Sequence, residues 1–321
     1  MRCKQQLLVV ISLLFIFSVA KDVSAQEKIE PVEYGDMNSW LERTVKESFV
    51  IGGKTKTLYE IAPKGTLPEN TAYVPHESRW ATSTVYARVS GINKASISVF
   101  PEPRGDGQCA RLETVMENVK VLGVINISVL ATGTIFLGEV NEPVRDTKNP
   151  QAKLMTGIPY TKRPKALMFD YKVDPKGPRI IATGFSRQKD LPGQNAAEAV
   201  IILQQRWEDA EGNLYAKRVA TAWHRFDHKQ EAWHNGYRMD LRYGDITKRA
   251  DFKPFENLVI GENQWYCKNS KGEVKPINEI GWADASTTPT HIILRFTSGF
   301  GGAYIGSVGS KFWIDNIKLV Y

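Results

Sequence analysis

Apolar and polar residues alternate in short runs along most of this chain, and the runs end in turn-forming residues. The clearest are VYARVSG at 85–91, ASISVF at 95–100, TIFLGEV at 134–140, KALMFDYKV at 165–173, AEAVIILQQRW at 197–207, HIILRFTS at 291–298 and KFWIDNIKLVY at 311–321. β-Branched residues cluster again in 118–130 and 179–185. These lengths suit strands. Turn clusters lie between them at Pro101 with Pro103 to Gly107, Asp174 to Pro178, Pro192 with Gly193, and Glu211 to Asn213. No strand–helix alternation is present, so the pattern predicts an all-β sandwich. Within 165–173, Leu167, Phe169 and Tyr171 are the bulkier alternating set and are predicted to face the core. Arg163 shares their parity, which predicts a charge at the end of the buried face, held by a carboxylate.

The segment 35–53, GDMNSWLERTVKESFVIGG, satisfies two periods. Met37, Trp40, Leu41 and Val45 fit a helical stripe with Asp36 as N-cap. Leu41, Val45, Phe49 and Ile51 equally share strand parity, interrupted by Arg43 and Glu47. The strand reading is preferred, because Gly52-Gly53 then turns the chain into KTKTLYEI.

The start of the chain has a different character. Arg2 and Lys4 precede an apolar run from Leu7 to Ala20, and Val23-Ser24-Ala25 closes it with a small-x-small pattern. This predicts a signal peptide over 1–25, cleaved after Ala25, and export to the periplasm or the cell surface. The run is shorter than the ~20 residues a bilayer demands, and no later run is long enough, so no transmembrane segment is expected. Residues 26–321 are expected to form one domain, with 26–75 as its N-terminal strands. The formal charge of +7 is spread along the chain, which predicts a solvated surface and no nucleic-acid partner, with anionic polysaccharide compatible with its sign. Of the three cysteines, Cys109 and Cys267 lie beyond the leader. Export permits a disulfide between them, and CARLET at 109–114 equally suits a buried free thiol.

The eight tryptophans give the candidate binding chemistry. Several lie among polar residues, as in SRWATS, TAWHRF and NQWYCKN, where an indole can stack on the apolar face of a sugar while neighbouring amides and guanidinium groups bond its hydroxyls. Trp80, Trp223 and Trp265 are the candidate ligand-binding tryptophans, and Arg163 is the candidate cation; core packing is the competing role for each Trp, and a structural ion pair for Arg163. His224, His228 and His234 with Asp227 have the one metal-like spacing, and Asp315 with Asp36 and Asn38 is the one calcium-like set; ordinary loop and turn roles are preferred for both, so no metal and no cofactor is expected. A glycosidase needs two carboxyls roughly 5–10 Å apart. Glu113, Glu139, Glu142, Asp170, Glu198 and Asp240 all qualify by type, so no catalytic pair stands out. GFGGAYIGSVGS at 299–310 of the glycine-rich stretch lacks a phosphate-loop Lys-Ser/Thr and reads as a loop between strands.

Several segments together resemble one family. ESFVIGGKTKTLYEIAP at 47–63, WATSTVYARVSG at 80–91, CARLET at 109–114, GTIFLGEV at 133–140, GIPYTKRPKALMFDYKV at 157–173 and GSKFWIDNIKLVY at 309–321 are similar to the putative carbohydrate metabolism domain (PCMD) family of exported bacterial proteins. The resemblance implies a jelly-roll β-sandwich like that of carbohydrate-binding modules, and an oligo- or polysaccharide partner. It implies no catalytic residue set. Three functions are compatible with the residues: a non-catalytic glycan-binding protein, which the polar-flanked tryptophans favour, a glycoside hydrolase or lyase using paired carboxylates, and a structural or adhesion module.

Overall fold

The computed structural model describes residues 27–121, 125–146, 148–184 and 186–321. The expected leader and its cleavage point lie outside the described residues. Within them the regular structure is strand, with four short 3-10 turns and no α-helix, as the alternation predicted.

Two sheets carry most of the fold. The first is open and six-stranded. Its order is Gln230–Asp240, Ala166–Asp174, Lys311–Val320, Gly107–Glu113 and Val99–Arg104, with Ile29–Pro31 pairing to the last residues of Lys311–Val320. The second curls until its edges meet. Its ring runs Thr134–Val140, His291–Thr297, Ala197–Glu208, Leu214–Phe226, Val274–Trp282, Tyr266–Lys268 and Leu154–Thr156, and returns to Thr134–Val140. The open sheet packs on the ring's outer wall. The ring itself departs from the jelly roll, in which two sheets face each other without closing.

The closure has a local cause. Thr134–Val140 pairs with His291–Thr297 only as far as Phe136, and the two strands then diverge. Residues 154–159 fill the wedge, bonding first to Gly138–Val140 and then to His291 and Ile292. Gly138, at φ +152°, makes the change of partner possible, because a Cβ there would overlap the carbonyl oxygen of Met155.

Ala197–Glu208 shows why the sequence reads as almost continuously apolar: it is buried on both faces. Ala197, Ala199, Ile201 and Leu203 pack outward against the open sheet, and Val200 and Ile202 belong to a second cluster inside the ring. From the open sheet Leu167, Phe169, Tyr171 and Val173 point into the shared core, the face that alternation predicted. Phe312, Ile314 and Leu319 join them, and Phe169 meets Phe296 of the ring edge-on at 4.9 Å.

The 35–53 segment forms a strand, Trp40–Lys46, that pairs antiparallel with Thr55–Ile61. The strand stops at Lys46, and Phe49 lies beyond it in a 3-10 turn, 93% exposed. Arg43 and Glu47, expected to interrupt an exposed face, are instead buried and paired. Arg43 donates to Glu60 at 2.7 and 2.9 Å and to Glu142 at 2.7 and 2.8 Å. Glu142 also accepts the Tyr73 and Tyr86 backbone N–H groups. Two carboxylates therefore share one guanidinium, and burial, reinforced by Glu142, pushes Glu60 up to about 8.

Candidate functional site at the mouth of the ring

Alternation along Ala197–Glu208 sends Glu198, Val200, Ile202, Gln204 and Arg206 toward the inside of the ring. The register sets Glu198 between Arg225 and Thr297, and Val200 between Trp223 and Arg295. One end of the ring interior is thus polar and aromatic, and its middle is aliphatic.

Above that end opens a cleft of about 810 Å³. Two antiparallel hairpins wall it. Val85–Val89 with Ile92–Ser96 contributes Val85, Ala87, Val89 and Ile92, and Val115–Val121 with Ile125–Ala131 contributes Ile127 and Val129. The glycine-rich loop 299–304 forms a further side, presenting Phe300 and Tyr304, and Glu198, Arg295 and Thr297 line the floor.

Beneath the floor runs a stack of arginines and rings, of which only Arg295 and Phe300 line the cleft itself. Arg295 sits 4.7 Å from the Trp265 ring centre, and Trp265 lies 6.4 Å from Trp223. Trp223 meets Phe255 at 6.0 Å, and Arg225 lies 4.1 Å from the centres of both Phe255 and Phe300. Arg179 covers Phe300 at 3.9 Å and donates to its carbonyl oxygen. Each guanidinium is positioned by a ring's negative face. Glu198, whose side chain is 2% exposed, accepts from Arg225 Nε at 2.8 Å and faces Arg295 at 3.5 Å.

The other cleft carboxylates are ion-paired. Glu117 meets Lys94 at 3.0 Å and Lys56 at 3.6 Å. Asp146 accepts from Lys153 at 3.2 Å, and that bond holds its carboxyl below the usual range. Burial, with the negative charge of Asp146, pushes the Tyr304 phenol up to about 12.

The four residues singled out from the sequence separate. Trp223 and Trp265 belong to the floor stack. Trp80 does not reach solvent: it is 0% exposed in the main core, with its Nε1 donating to the Glu33 carbonyl oxygen at 2.8 Å. Of its polar sequence neighbours Arg79 is exposed while Ser78 and Thr82 are buried beside the ring, so Trp80 is a core residue. Arg163 does not line the cleft. Its guanidinium donates to the backbone oxygens of Ala285 and Thr287 and stacks 4.3 Å from the Tyr243 ring centre. The carboxylate expected as its partner is replaced by these carbonyls.

The other candidate sets disperse as well. His228 bonds Asp227, His234 stacks on Tyr171 at 5.4 Å, and His224 packs on Phe226. Asp315 pairs with Arg104, while Asn38 accepts from the Gln108 N–H. Among the described residues no group of three or more His, Cys, Asp or Glu is placed to hold a metal ion. Cys109 and Cys267 are free thiols, and burial pushes Cys109 up to about 12. On the outer face of the open sheet, Trp233, Trp313 and Phe100 are already covered by cations, Arg104 at 3.8 Å, Lys172 at 4.4 Å and Arg111 at 4.2 Å.

Sequence reasoning missed Phe300, the two arginines that cover it, Arg179 and Arg225, and Arg295 on Trp265. The signal was present in Gly299, Gly301 and Gly302 flanking one aromatic residue. At Gly301, φ is +94° and a Cβ would overlap Arg179 Nη2, so glycine is what lets the guanidinium close on the loop.

The chain is thus an all-β protein, a closed ring with a walled cleft at its mouth that Arg295, Phe300 and Tyr304 help to line. The chain belongs to the putative carbohydrate metabolism domain family, whose model matches residues 56–320. A solved structure from Bacteroides thetaiotaomicron, described as a putative glycoside hydrolase, is similar at 15% identity and a TM-score of 0.46, over 84% of this chain and 76% of that one. Another from Bacteroides vulgatus, described in the same words, is similar at 14% identity and a TM-score of 0.40, over 91% of this chain and 94% of that one. No curated protein matches the chain.

Proposed function

We propose that this protein is an exported, non-catalytic glycan-binding protein that holds an oligosaccharide in the cleft at the mouth of the ring. The observation that carries the reading is the floor stack beneath a cleft of about 810 Å³, in a chain of the carbohydrate metabolism family. Phe300, Tyr304 and the aliphatic walls suit the C–H faces of sugar rings, and Glu198 and Arg295 offer an acceptor and donors to hydroxyls. The leader pattern at 1–25 supports export, and none of the described helices is long and apolar enough to cross a membrane.

Binding is favoured over hydrolysis by the state of the carboxylates. A glycosidase acid must be kept protonated by burial or by a neighbouring negative charge. Glu117 and Glu198 are instead engaged by Lys94 and Arg225, and the Lys153 bond holds Asp146 below the usual carboxylate range. The test is a panel of oligosaccharides titrated into purified protein, with product analysis of the same samples. Saturable binding without new sugar ends is expected; release of shortened products would make the protein an enzyme, and no binding to any sugar would leave a structural module.

A further inference from the structure

At and just behind the floor of the cleft, where Glu198 and Arg295 line it, the charges are out of balance. Arg179, Arg225 and Arg295 cluster around Glu198 as the one carboxylate that acts on both Arg179 and Arg295. Glu198 is committed to Arg225 at 2.8 Å, and its approach to Arg295 is long, at 3.5 Å. Buried charges are normally paired, and a guanidinium without an anion beside it is costly.

The hydrogen-bond inventory points the same way. Arg179 Nε, Arg295 Nε, Trp223 Nε1 and Trp265 Nε1 are all buried without an acceptor. All four are donors. Buried donors are satisfied in most folded proteins, so four of one polarity along one stack leave its surroundings short of acceptors, and Arg295 is the member that also lines the cleft. Burial and the nearby Arg225 hold Arg179 below the ordinary arginine range, and burial does the same to Arg295, as uncompensated positive charge requires.

We propose that the cleft takes an acidic glycan, with a carboxylate or sulfate group of the sugar lying against Arg295 and drawing on the field of Arg179 and Arg225. This rests on the glycan-binding reading and narrows it to a substrate class. Carboxylate and sulfate share the needed chemistry, a compact anion with several acceptor oxygens that guanidinium recognises well. Aliphatic walls above a cationic floor orient such a sugar, its ring against the hairpins and its charge inward.

The experiment is calorimetric titration of the full mature chain with three oligosaccharides of equal length: a uronate oligomer, a sulfated oligomer and a neutral oligomer. Binding of an acidic oligomer at least tenfold tighter than the neutral one is expected, weakening as salt rises. Arg295→Gln is expected to abolish the preference. Gly301→Ala, which displaces Arg179 without removing a floor charge, is expected to reduce it. Melting curves of both variants exclude unfolding as the cause. A preference for uronate over sulfate, or the reverse, identifies the group. Neutral and acidic oligomers binding equally, or a preference that survives Arg295→Gln in a folded variant, would overturn the inference and leave glycan binding standing. Binding of none of the three would overturn both.

Discussion

The guanidinium carbon of Arg295 lies 4.7 Å from the centre of the Trp265 ring, while the Nε of the same arginine and the Nε1 of the same indole are buried without an acceptor. Stacking fixes the arginine's position, and the guanidinium lines the cleft. Trp265→Phe keeps the ring and removes one of these donors. We expect a melting temperature within a few degrees of the parent and a roughly fivefold loss of glycan affinity, about 1 kcal/mol, because a smaller ring seats Arg295 less firmly. Unchanged affinity would separate Trp265 from the site.

Trp80 behaves differently. It is buried in the main core with its Nε1 bonded to Glu33, so Trp80→Ala leaves a large cavity and an orphaned carbonyl. A loss of about 3–5 kcal/mol of stability is expected in denaturant unfolding. A variant that unfolds like the parent would mean that Trp80 is not packed as described.

Arg163 ties two backbone carbonyls of the 284–287 turn to the Tyr243 ring. Arg163→Ala removes the bonds to both and is expected to cost about 2 kcal/mol, with glycan affinity unaltered. Thermal melts and titrations of this one variant decide between a scaffold and a site role: loss of binding at unchanged stability would place Arg163 in the site.

The Arg43–Glu60–Glu142 cluster predicts a pH dependence. Glu60 is raised from 4.5 to about 8 in the folded state by burial, so the native protein holds a proton that the unfolded chain releases earlier. Its contribution to stability is complete below about 4.5 and declines as pH rises to about 8. Glu60→Gln, which cannot ionise, is expected to flatten the stability profile across that window. An unchanged slope in the variant would assign the dependence elsewhere.

Ala87 projects from a hairpin into the cleft wall. Ala87→Trp is expected to fill the cleft and lower glycan affinity at least tenfold, with a melting curve close to the parent because the residue is only partly buried. Full affinity in a folded variant would move the site out of the cleft.

The sequence carried the strand character of the fold because alternation survives wherever one face is buried, as in 165–173, where Leu167, Phe169 and Tyr171 face the core as predicted. It did not carry the ring. Closure depends on where Thr134–Val140 changes partners, a long-range event marked in the sequence only by Gly138. The strand Gln230–Asp240 was hidden for another reason: most of its side chains are exposed at a sheet edge, so it lacks an apolar face. Trp223 and Trp265, singled out as polar-flanked indoles, lie in the stack behind Arg295, and Trp80 carried the same signal for a buried ring. Arg179, Arg225 and Arg295 come from three separate strands, and nothing local marks their gathering around Glu198.

The most direct measurement is a crystal structure of the protein with an oligosaccharide that it binds in solution. The account predicts sugar density between the Val85–Val89 hairpin and the 299–304 loop, with ligand oxygens within hydrogen-bond reach of Arg295. Density on the Trp233 and Trp313 face of the open sheet, with the cleft empty, would contradict it.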